Sequence, residues 1–242
     1  MNAPGRMEAV VFDLLYTLVH PQTYPGGTDR EGWLAHLLGI EETDLQARWE
    51  MFEPALEAGQ VAVSGNGLCP ELDWLTAVAA DLGVRVGDDQ LAQIDAGWDL
   101  TRRAALLNPP KDTVRTLSAF RERGIRLGLL SNTHPLELRS WQESPLSRFF
   151  EVTAFSYEIG ACKPDPAAYA TVLERLKVPA PSAAYVGDGS YNELAGAKTA
   201  GFGLVVLAAE APARSAPQEL PGLRAQADVA VTSLRELVDL VS

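Results

Sequence analysis

Basic residues are scarce in this chain: 20 lysines and arginines stand against 32 aspartates and glutamates, which gives a formal net charge of −12. This balance provides no general attraction to nucleic acid or to anionic lipid, and no basic run offsets it locally. We therefore expect neither a polynucleotide partner nor binding to a membrane surface.

Cysteines and long apolar runs are scarce as well. The two cysteines, Cys69 and Cys162, lie far apart and match no metal-ligand spacing. A disulfide framework is therefore not indicated, and a reducing compartment is the simpler expectation. The first residues are polar, and the apolar stretch behind them is interrupted by Asp13, which argues against a signal peptide or a membrane span. The sequence predicts a cytoplasmic protein.

What the chain does have is 242 residues with a hydrophobic fraction of 47%, enough for one full core and a second small unit. Short apolar, β-branched runs recur, each ending at a polar or glycine-rich turn, as is typical of parallel strands covered on both faces. These runs occupy residues 8–12, 125–130, 152–155, 183–186 and 204–207, with helical patterns at 112–123, 166–177 and 192–200. The alternation predicts a doubly wound, Rossmann-like α/β domain.

The alternation fails between about residues 20 and 105. This segment has four amphipathic stretches without strand signals, at 30–38, 42–58, 72–82 and 88–104, and it holds four of the five tryptophans. We predict a helical domain over residues 20–105, inserted into a core domain made of residues 1–19 and 106–242. We predict a loop over residues 208–222, then a last strand near residues 227–231 and a terminal helix.

Polar side chains follow the predicted strands, at the edge where open α/β sheets bind their ligands. Asp13 follows the first strand, Ser131 and Asn132 the second, Lys163 the third and Asp188 the fourth. Each is a weak signal alone, because such residues often only cap helices or turns. Together they supply a nucleophile, groups that hold anionic oxygens, a neutralising lysine and an acid for a divalent cation. This set suits displacement through an aspartyl intermediate.

The order of these residues resembles the haloacid dehalogenase (HAD) superfamily over the whole chain. The matching motifs are Asp13-x-x-x-Thr17, Leu130-Ser131-Asn132, Lys163-Pro164-Asp165-Pro166 and Gly187-Asp188-Gly189-Ser190-Tyr191-Asn192-Glu193. The resemblance implies that the insertion is the α-helical cap, that Asp13 is the nucleophile and that Glu193 orients the site. It also implies a set of side chains that hold the transferred group, namely Thr17, Ser131, Asn132 and Lys163. From its sequence context alone, Thr17 could instead be only a helix N-cap.

Leu15 stands at the position where two chemistries of the superfamily differ. Its phosphatases resemble one another in a second aspartate there, which protonates the leaving alcohol, whereas its 2-haloacid dehalogenases have an uncharged residue. Leu15 therefore favours a leaving group that needs no proton. General acid catalysis is worth about 10²–10⁴-fold, so transfer to Asp13 would still proceed with good leaving groups. Neighbours that could replace the acid are Tyr16, His20 and His134.

The fourth motif favours the other chemistry, because metal-dependent phosphotransferases of the superfamily carry the acids found here at Asp188 and Glu193. The resemblance implies Mg²⁺ held by Asp13, Asp188 and the backbone carbonyl of Leu15, an oxygen that the leucine side chain does not affect. The leading hypothesis is a Mg²⁺-dependent hydrolase that acts on a small phosphorylated metabolite.

Two other functions stay open at this point. A 2-haloacid dehalogenase would need a cationic cap residue for the carboxylate and halide of its substrate, which Arg30, Arg102 or Arg103 could supply. A catalytically weak protein that binds a ligand or regulates a partner would also explain Leu15. In each case we expect a monomer or a homodimer that binds a small molecule through residues such as Tyr16, Tyr24, Arg30 and Asn132.

Overall fold

The computed structural model describes residues 7–21, 24, 30–57 and 70–241. Its centre is a six-stranded sheet in the order β3-β2-β1-β4-β5-β6, with every neighbouring pair parallel. The strands are β1 (Ala9–Phe12), β2 (Arg126–Ser131), β3 (Val152–Phe155), β4 (Ala183–Gly187), β5 (Leu204–Ala208) and β6 (Val229–Val231). This confirms the predicted doubly wound, Rossmann-like fold, and every predicted strand lies within about two residues of its expected bounds.

The helices fall into two groups, one in the insertion and one around the sheet. The first group is α1 (Arg30–Leu38), α2 (Glu42–Glu57), α3 (Pro70–Asp81) and α4 (Asp88–Leu107). The second group is α5 (Lys111–Glu122), α6 (Ser156–Ile159), α7 (Pro166–Leu176), α8 (Glu193–Thr199), α9 (Glu210–Ser215), α10 (Leu220–Gln226) and α11 (Leu237–Leu240).

Both faces of the sheet are buried, which explains the near-continuous apolar character of its strands. On one face Phe12 of β1 packs against Phe120 of α5, with 6.3 Å between the ring centroids. On the other face Val11 shares a core with Val172 of α7. Successive residues of β1 therefore anchor opposite helical layers, and the strand ends are held rigidly at one edge.

The insertion has a core of its own, rich in leucine and tryptophan, which includes Leu34, Leu45, Trp49, Leu75 and Trp98. A Cβ atom at Gly97 would lie 2.4 Å from the ring of Trp33, so this glycine allows α1 and α4 to approach closely. Helix α4 continues across the predicted boundary at 105/106, and its residue Leu106 packs into the core of the sheet. The last turn of the insertion is thus fixed to the core domain.

The predicted loop at residues 208–222 is wrong, because this segment contains α9 and α10. The loop was predicted from an excess of alanine, proline and glutamate, but Pro212 and Pro221 lie in the first turns of these helices, where the missing N–H has no helical partner to lose. Cys162 is partly buried, and Cys69 lies outside the described residues. Among the described residues, no helix combines the length and apolar character needed to cross a bilayer.

Candidate active site

A cavity of about 450 Å³ lies at the carboxyl ends of the strands, between the sheet and the insertion. The strand order reverses at β1, whose neighbours are β2 and β4, and such switch points are where doubly wound sheets bind ligands. Four of the predicted catalytic residues line this cavity, Asp13, Asn132, Lys163 and Glu193, together with the predicted metal ligand Asp188.

Lys163 is the centre of the polar network in the cavity. Its Nζ donates to Asp13 Oδ1 at 2.6 Å and to Glu193 Oε2 at 2.6 Å, and the side chain is almost fully buried. Burial alone would lower the pKa of Lys163, but the charges of Asp13 and Glu193 outweigh it and raise the pKa. Lys163 is therefore a permanent cation that orients the Asp13 carboxylate.

Glu193 holds Lys163 rather than facing open space. Its Oε2 also accepts from the Tyr185 hydroxyl at 2.6 Å, and its Oε1 accepts from the Gly189 N–H at 2.9 Å. A Cβ atom at Gly187 would lie 2.0 Å from Oε1, so β4 must end in glycine for this carboxylate to reach its position. Both oxygens of Glu193 are engaged within the protein.

Asn132 braces the backbone of Lys163. Its Nδ2 donates to the Lys163 carbonyl at 3.0 Å, and its Oδ1 accepts from the Lys163 N–H at 2.7 Å. The side-chain amide thereby joins the end of β2 to the loop after β3. The second hydrogen on Nδ2 is still available to a ligand in the cavity.

The two remaining acids are held against an excess of negative charge. Burial raises the pKa of Asp13 to about 6, with Lys163 opposing and Glu193 reinforcing the shift. Burial, followed by Glu193 and Asp13, raises the pKa of Asp188 to about 8, although Asp188 accepts from the N–H and hydroxyl of Ser190 at 3.1 and 2.9 Å. Three acidic side chains thus lie close together, and Lys163 pairs with two of them, Asp13 and Glu193, an arrangement that a bound cation would relieve.

The carboxylate oxygens of Asp13, Asp188 and Glu193 come within 4.8 Å of one another. Glu193 accepts three hydrogen bonds within the protein and Asp188 accepts two, so Asp188, together with Asp13, keeps more capacity to bind a metal ion. Leu15 lines the same cavity, and the hydrogen bonds that close its loop use the carbonyls of Leu14 and Val19. The Leu15 carbonyl is not among the acceptors of these bonds. This carbonyl and the carboxylates of Asp13 and Asp188 are oxygen ligands that fit Mg²⁺, as does the excess negative charge.

Two predicted ligands of the transferred group lie elsewhere. The hydroxyl of Thr17 is buried without a hydrogen-bond partner in a separate small cavity beside His20, and Thr17 begins no helix among the described residues. Ser131 is fully buried, outside the lining of the main cavity, and its hydroxyl makes one long contact of 3.4 Å to the Asn132 carbonyl. The contacts of Thr17 and Ser131 with substrate therefore stay predictions.

The three candidates for a replacement acid lie in different parts of the structure. Tyr16 lines the main cavity, half-exposed, with a left-handed backbone at φ +63° that is costly for an aromatic residue. His20 lies beside Thr17 in the small cavity, and His134 is buried against Trp98 and Glu137. Of the three, Tyr16 is the one that lines the same cavity as Asp13.

The insertion supplies the opposite wall of the cavity, with Tyr24, Arg30 and Arg102. Tyr24 stacks on Trp33 at 5.1 Å between centroids, and the Arg30 guanidinium lies 4.0 Å over the Trp49 ring while pairing with Glu31 at 2.7 Å. Both predicted cap contacts, Tyr24 and Arg30, therefore face the cavity.

Several lining residues were not predicted from the sequence, among them Glu31, Glu137, Ser190, Tyr191 and Ser215. Ser190 and Tyr191 could have been predicted from the sequence, because they follow β4 within the motif of residues 187–193. Glu137 lies in the loop after β2, where it pairs with Arg102 Nη2 at 2.7 Å, and both side chains are buried. Ser215 had no signal, because its helix was predicted to be a loop.

The pair Arg102–Glu137 predicts a specific loss of stability in acid. Burial would raise the pKa of Glu137, but His134 and Arg102 outweigh it and lower the pKa to about 2 from 4.5. Because the folded pKa is depressed, the contribution is fully present above about pH 4.5 and is lost as the pH falls towards 2. We expect Glu137→Gln to be less stable than wild type by about 3 kcal/mol at pH 7 in urea unfolding.

The difference between the two proteins should shrink below pH 4.5, because protonated Glu137 resembles glutamine. A matched control is Glu143→Gln, since Glu143 pairs with Arg103 at 2.8 Å but both side chains are about half exposed. We expect an effect below about 1 kcal/mol there. A stability difference for Glu137→Gln that is constant from pH 7 to pH 2.5 would contradict the assignment.

Comparison with known proteins places this geometry in one family. The model of the haloacid dehalogenase-like hydrolase family matches residues 7–201. A glyceraldehyde 3-phosphate phosphatase of Methanopyrus kandleri is 35% identical over 101 residues, which cover 40% of this chain and 42% of that protein. The chain thus matches less than half the length of that relative.

Solved structures of both chemistries resemble the whole chain. An L-2-haloacid dehalogenase superposes with a TM-score of 0.64 at 23% identity, covering 98% of this chain and 99% of the other. A HAD phosphatase from Thermococcus onnurineus gives a TM-score of 0.59 at 21% identity, covering 98% of each chain. At these identities the likeness shows the fold alone.

Proposed function

The chain belongs to the haloacid dehalogenase-like hydrolases, and on that basis we propose that it is a Mg²⁺-dependent phosphatase of a small metabolite, with Asp13 as nucleophile. The observation that supports this choice is the excess of buried negative charge, with Asp13, Asp188 and Glu193 around Lys163. Bound Mg²⁺ would neutralise phosphoryl oxygens beside an anionic nucleophile. Cleaving a carbon–halogen bond requires no such charge. The phosphatase name of the archaeal relative adds support.

The proposed reaction has two displacements. A carboxylate oxygen of Asp13 attacks phosphorus, the bond from phosphorus to the leaving oxygen breaks, and an aspartyl phosphate forms. Water then attacks that phosphorus, which releases inorganic phosphate and restores the carboxylate. Lys163 and the remaining Asn132 N–H would hold phosphoryl oxygens, while Glu193 keeps Lys163 in place.

Leu15 determines which leaving groups depart readily from phosphorus. The residue lines the cavity but offers no proton, so the leaving oxygen must depart as an anion or take its proton from water or from a neighbour such as Tyr16. Aryl and acyl phosphates, whose leaving groups are weak bases, should therefore react faster than alkyl phosphates. The difference expected from a missing general acid is about 10²–10⁴-fold.

Removal of metal is the test of this proposal. We expect wild-type protein to hydrolyse p-nitrophenyl phosphate and acetyl phosphate with added Mg²⁺, and to lose at least about 100-fold of that activity in EDTA, because several kcal/mol of charge neutralisation are lost. Phosphate release measures both. Activity should return when Mg²⁺ is added in excess over EDTA.

Asp188→Asn should need a higher Mg²⁺ concentration for half-maximal activity, because one of the two proposed acidic ligands loses its charge. Asp239→Asn, at an exposed position of α11, is the matched control and should keep the wild-type Mg²⁺ requirement. Full turnover of phosphate esters in EDTA would exclude the proposed mechanism.

Two observations favour a second function, dehalogenation of a 2-haloacid: Leu15 supplies no acid, and the buried cation Arg102 lines the cavity. Halide release from 2-chloropropionate in EDTA, absent in Asp13→Asn, together with no phosphate release from any ester, would favour this function. Thermal stabilisation by phosphorylated ligands without product formation would instead support a binding protein.

A further inference from the structure

Arg102 presents unused hydrogen-bond donors in the cavity wall opposite the acidic cluster. The residue is 7% exposed, and its Nη2 pairs with Glu137 Oε1 at 2.7 Å. Its Nε and Nη1 are buried and have no hydrogen-bond partner. These two nitrogens carry three N–H bonds of the planar guanidinium fork, a group that matches the geometry of a carboxylate.

Tyr24 adds a further donor to the same wall. It is 6% exposed, lines the cavity, and its hydroxyl has no hydrogen-bond partner. Buried polar groups are almost always paired in native proteins. Unpaired donors on Arg102 and Tyr24 therefore point to a polar acceptor that enters with the ligand.

Glu137 connects this wall to the reaction centre. Its Oε2 accepts from the Thr133 hydroxyl at 2.9 Å, and Thr133 directly follows Asn132, whose amide braces Lys163. One short loop after β2 thus positions Arg102 at one end of the cavity and Lys163 at the other. Glu137 is in this sense a positioning residue.

The charges on the wall indicate which anion it would take. Arg102 is paired with Glu137, and Arg30 is paired with Glu31, so the wall carries no large excess of positive charge. A single negative charge spread over two oxygens suits such a wall better than a phosphate dianion would. The cavity volume of about 450 Å³ is in the range of sites for small molecules.

We infer that Arg102, positioned by Glu137, binds a carboxylate of the substrate at the end remote from the scissile group, so that the substrate is a small phosphorylated carboxylic acid. This inference rests on the proposed phosphatase function. The phosphoryl group would lie at Asp13 and Lys163, and the carboxylate would receive hydrogen bonds from Arg102 and Tyr24.

The test compares two esters that differ only in this group, 3-phosphoglycerate and glycerol 3-phosphate, with p-nitrophenyl phosphate as a general phosphatase substrate. In wild type we expect kcat/KM for the acid to exceed that for the alcohol by about 10- to 100-fold, the value of charge-assisted hydrogen bonds. Arg102→Gln should bring this ratio close to one, mainly by raising KM for the acid.

The double variant Arg102→Gln/Glu137→Gln guards against misfolding, because it leaves neither charge buried alone, and it should show the same loss of discrimination. Glu137→Gln alone should lower the ratio through KM. The matched control is Arg103→Gln: Arg103 is the next residue on α4 and pairs with Glu143, with its side chain 44% exposed. It should keep the wild-type ratio.

Equal kcat/KM for acid and alcohol in a wild-type protein that hydrolyses p-nitrophenyl phosphate would overturn the carboxylate site and leave the phosphatase proposal intact. Preference for glycerol bisphosphate over 3-phosphoglycerate, lost in Arg102→Gln, would overturn the assignment to a carboxylate. If no ester is hydrolysed, the phosphatase proposal fails. In that case calorimetry measures the binding of 3-phosphoglycerate and glycerol 3-phosphate to the wild-type protein. Equal binding of the two esters, or no binding, would overturn the carboxylate site.

Discussion

Asp13→Asn is expected to hydrolyse phosphate esters at least about 10⁴-fold more slowly than the wild-type protein, because an amide cannot form the covalent intermediate. The substitution keeps the size of the side chain and an oxygen that can accept from Lys163, which lies 2.6 Å from the carboxylate. Its effect should therefore fall on kcat rather than on the fold. Release of p-nitrophenolate under saturating Mg²⁺ measures the loss.

The matched control is Asp165→Asn, two residues after Lys163. Asp165 is exposed and caps α7 by accepting from the Ala167 N–H at 2.9 Å, a role that asparagine fulfils equally well. We expect wild-type activity there. If Asp13→Asn retained a tenth of the wild-type rate while circular dichroism showed a native fold, Asp13 could not be the nucleophile.

The sheet was predictable because its signal is local. The inner strands β1 and β4 are buried on both faces and therefore appear as continuous apolar runs. Even the short edge strand β3 (Val152–Phe155), which is only partly buried, has the bounds expected from its sequence. The segment 208–222 was not predictable from the same signal. Its prolines end a helix in most positions but are harmless in the first turn, and composition alone does not locate that turn.

The site was predictable where a side chain directly follows a strand, since parallel strands end at one edge of the sheet. Asp13, Asn132 and Asp188 meet there as expected. Thr17 does not, because the turn after β1 closes on itself through the Tyr16 N–H and the Val19 carbonyl at 2.7 Å. The spacing of four residues fixes no side-chain direction in such a turn.

Glu137 could not be identified from sequence for a different reason. Its partner Arg102 lies on α4, in the insertion, and the ion pair at 2.7 Å forms only when the insertion packs on the loop after β2. Nothing in the local pattern of either residue records that contact. The cavity wall that would bind the remote end of a ligand therefore forms only through tertiary contacts. The position of the reaction centre, in contrast, follows largely from the topology of the sheet.

Lys163→Met is the substitution with the largest expected effect on stability. It removes the ammonium group that lies 2.6 Å from both Asp13 and Glu193, and it leaves buried carboxylates without their cation. Removal of one partner from a buried ion pair costs about 3–5 kcal/mol, to be measured as the free energy of unfolding in urea at pH 7.5. Turnover should fall by at least about 10²–10³-fold, because a charge that holds phosphoryl oxygens is lost.

Lys198, in the same domain, is the matched control, because it is also a paired lysine but its side chain is not buried. Lys198 pairs with Asp228 at 3.1 Å, but its side chain is 39% exposed, and Lys198→Met should cost less than about 1 kcal/mol and leave turnover unchanged. Mg²⁺ should recover part of the stability lost in Lys163→Met, because the ion would supply positive charge to the same carboxylates, and it should have no such effect on Lys198→Met. A Lys163→Met protein as stable as wild type without metal would mean that the acidic cluster does not depend on Lys163 for its charge balance.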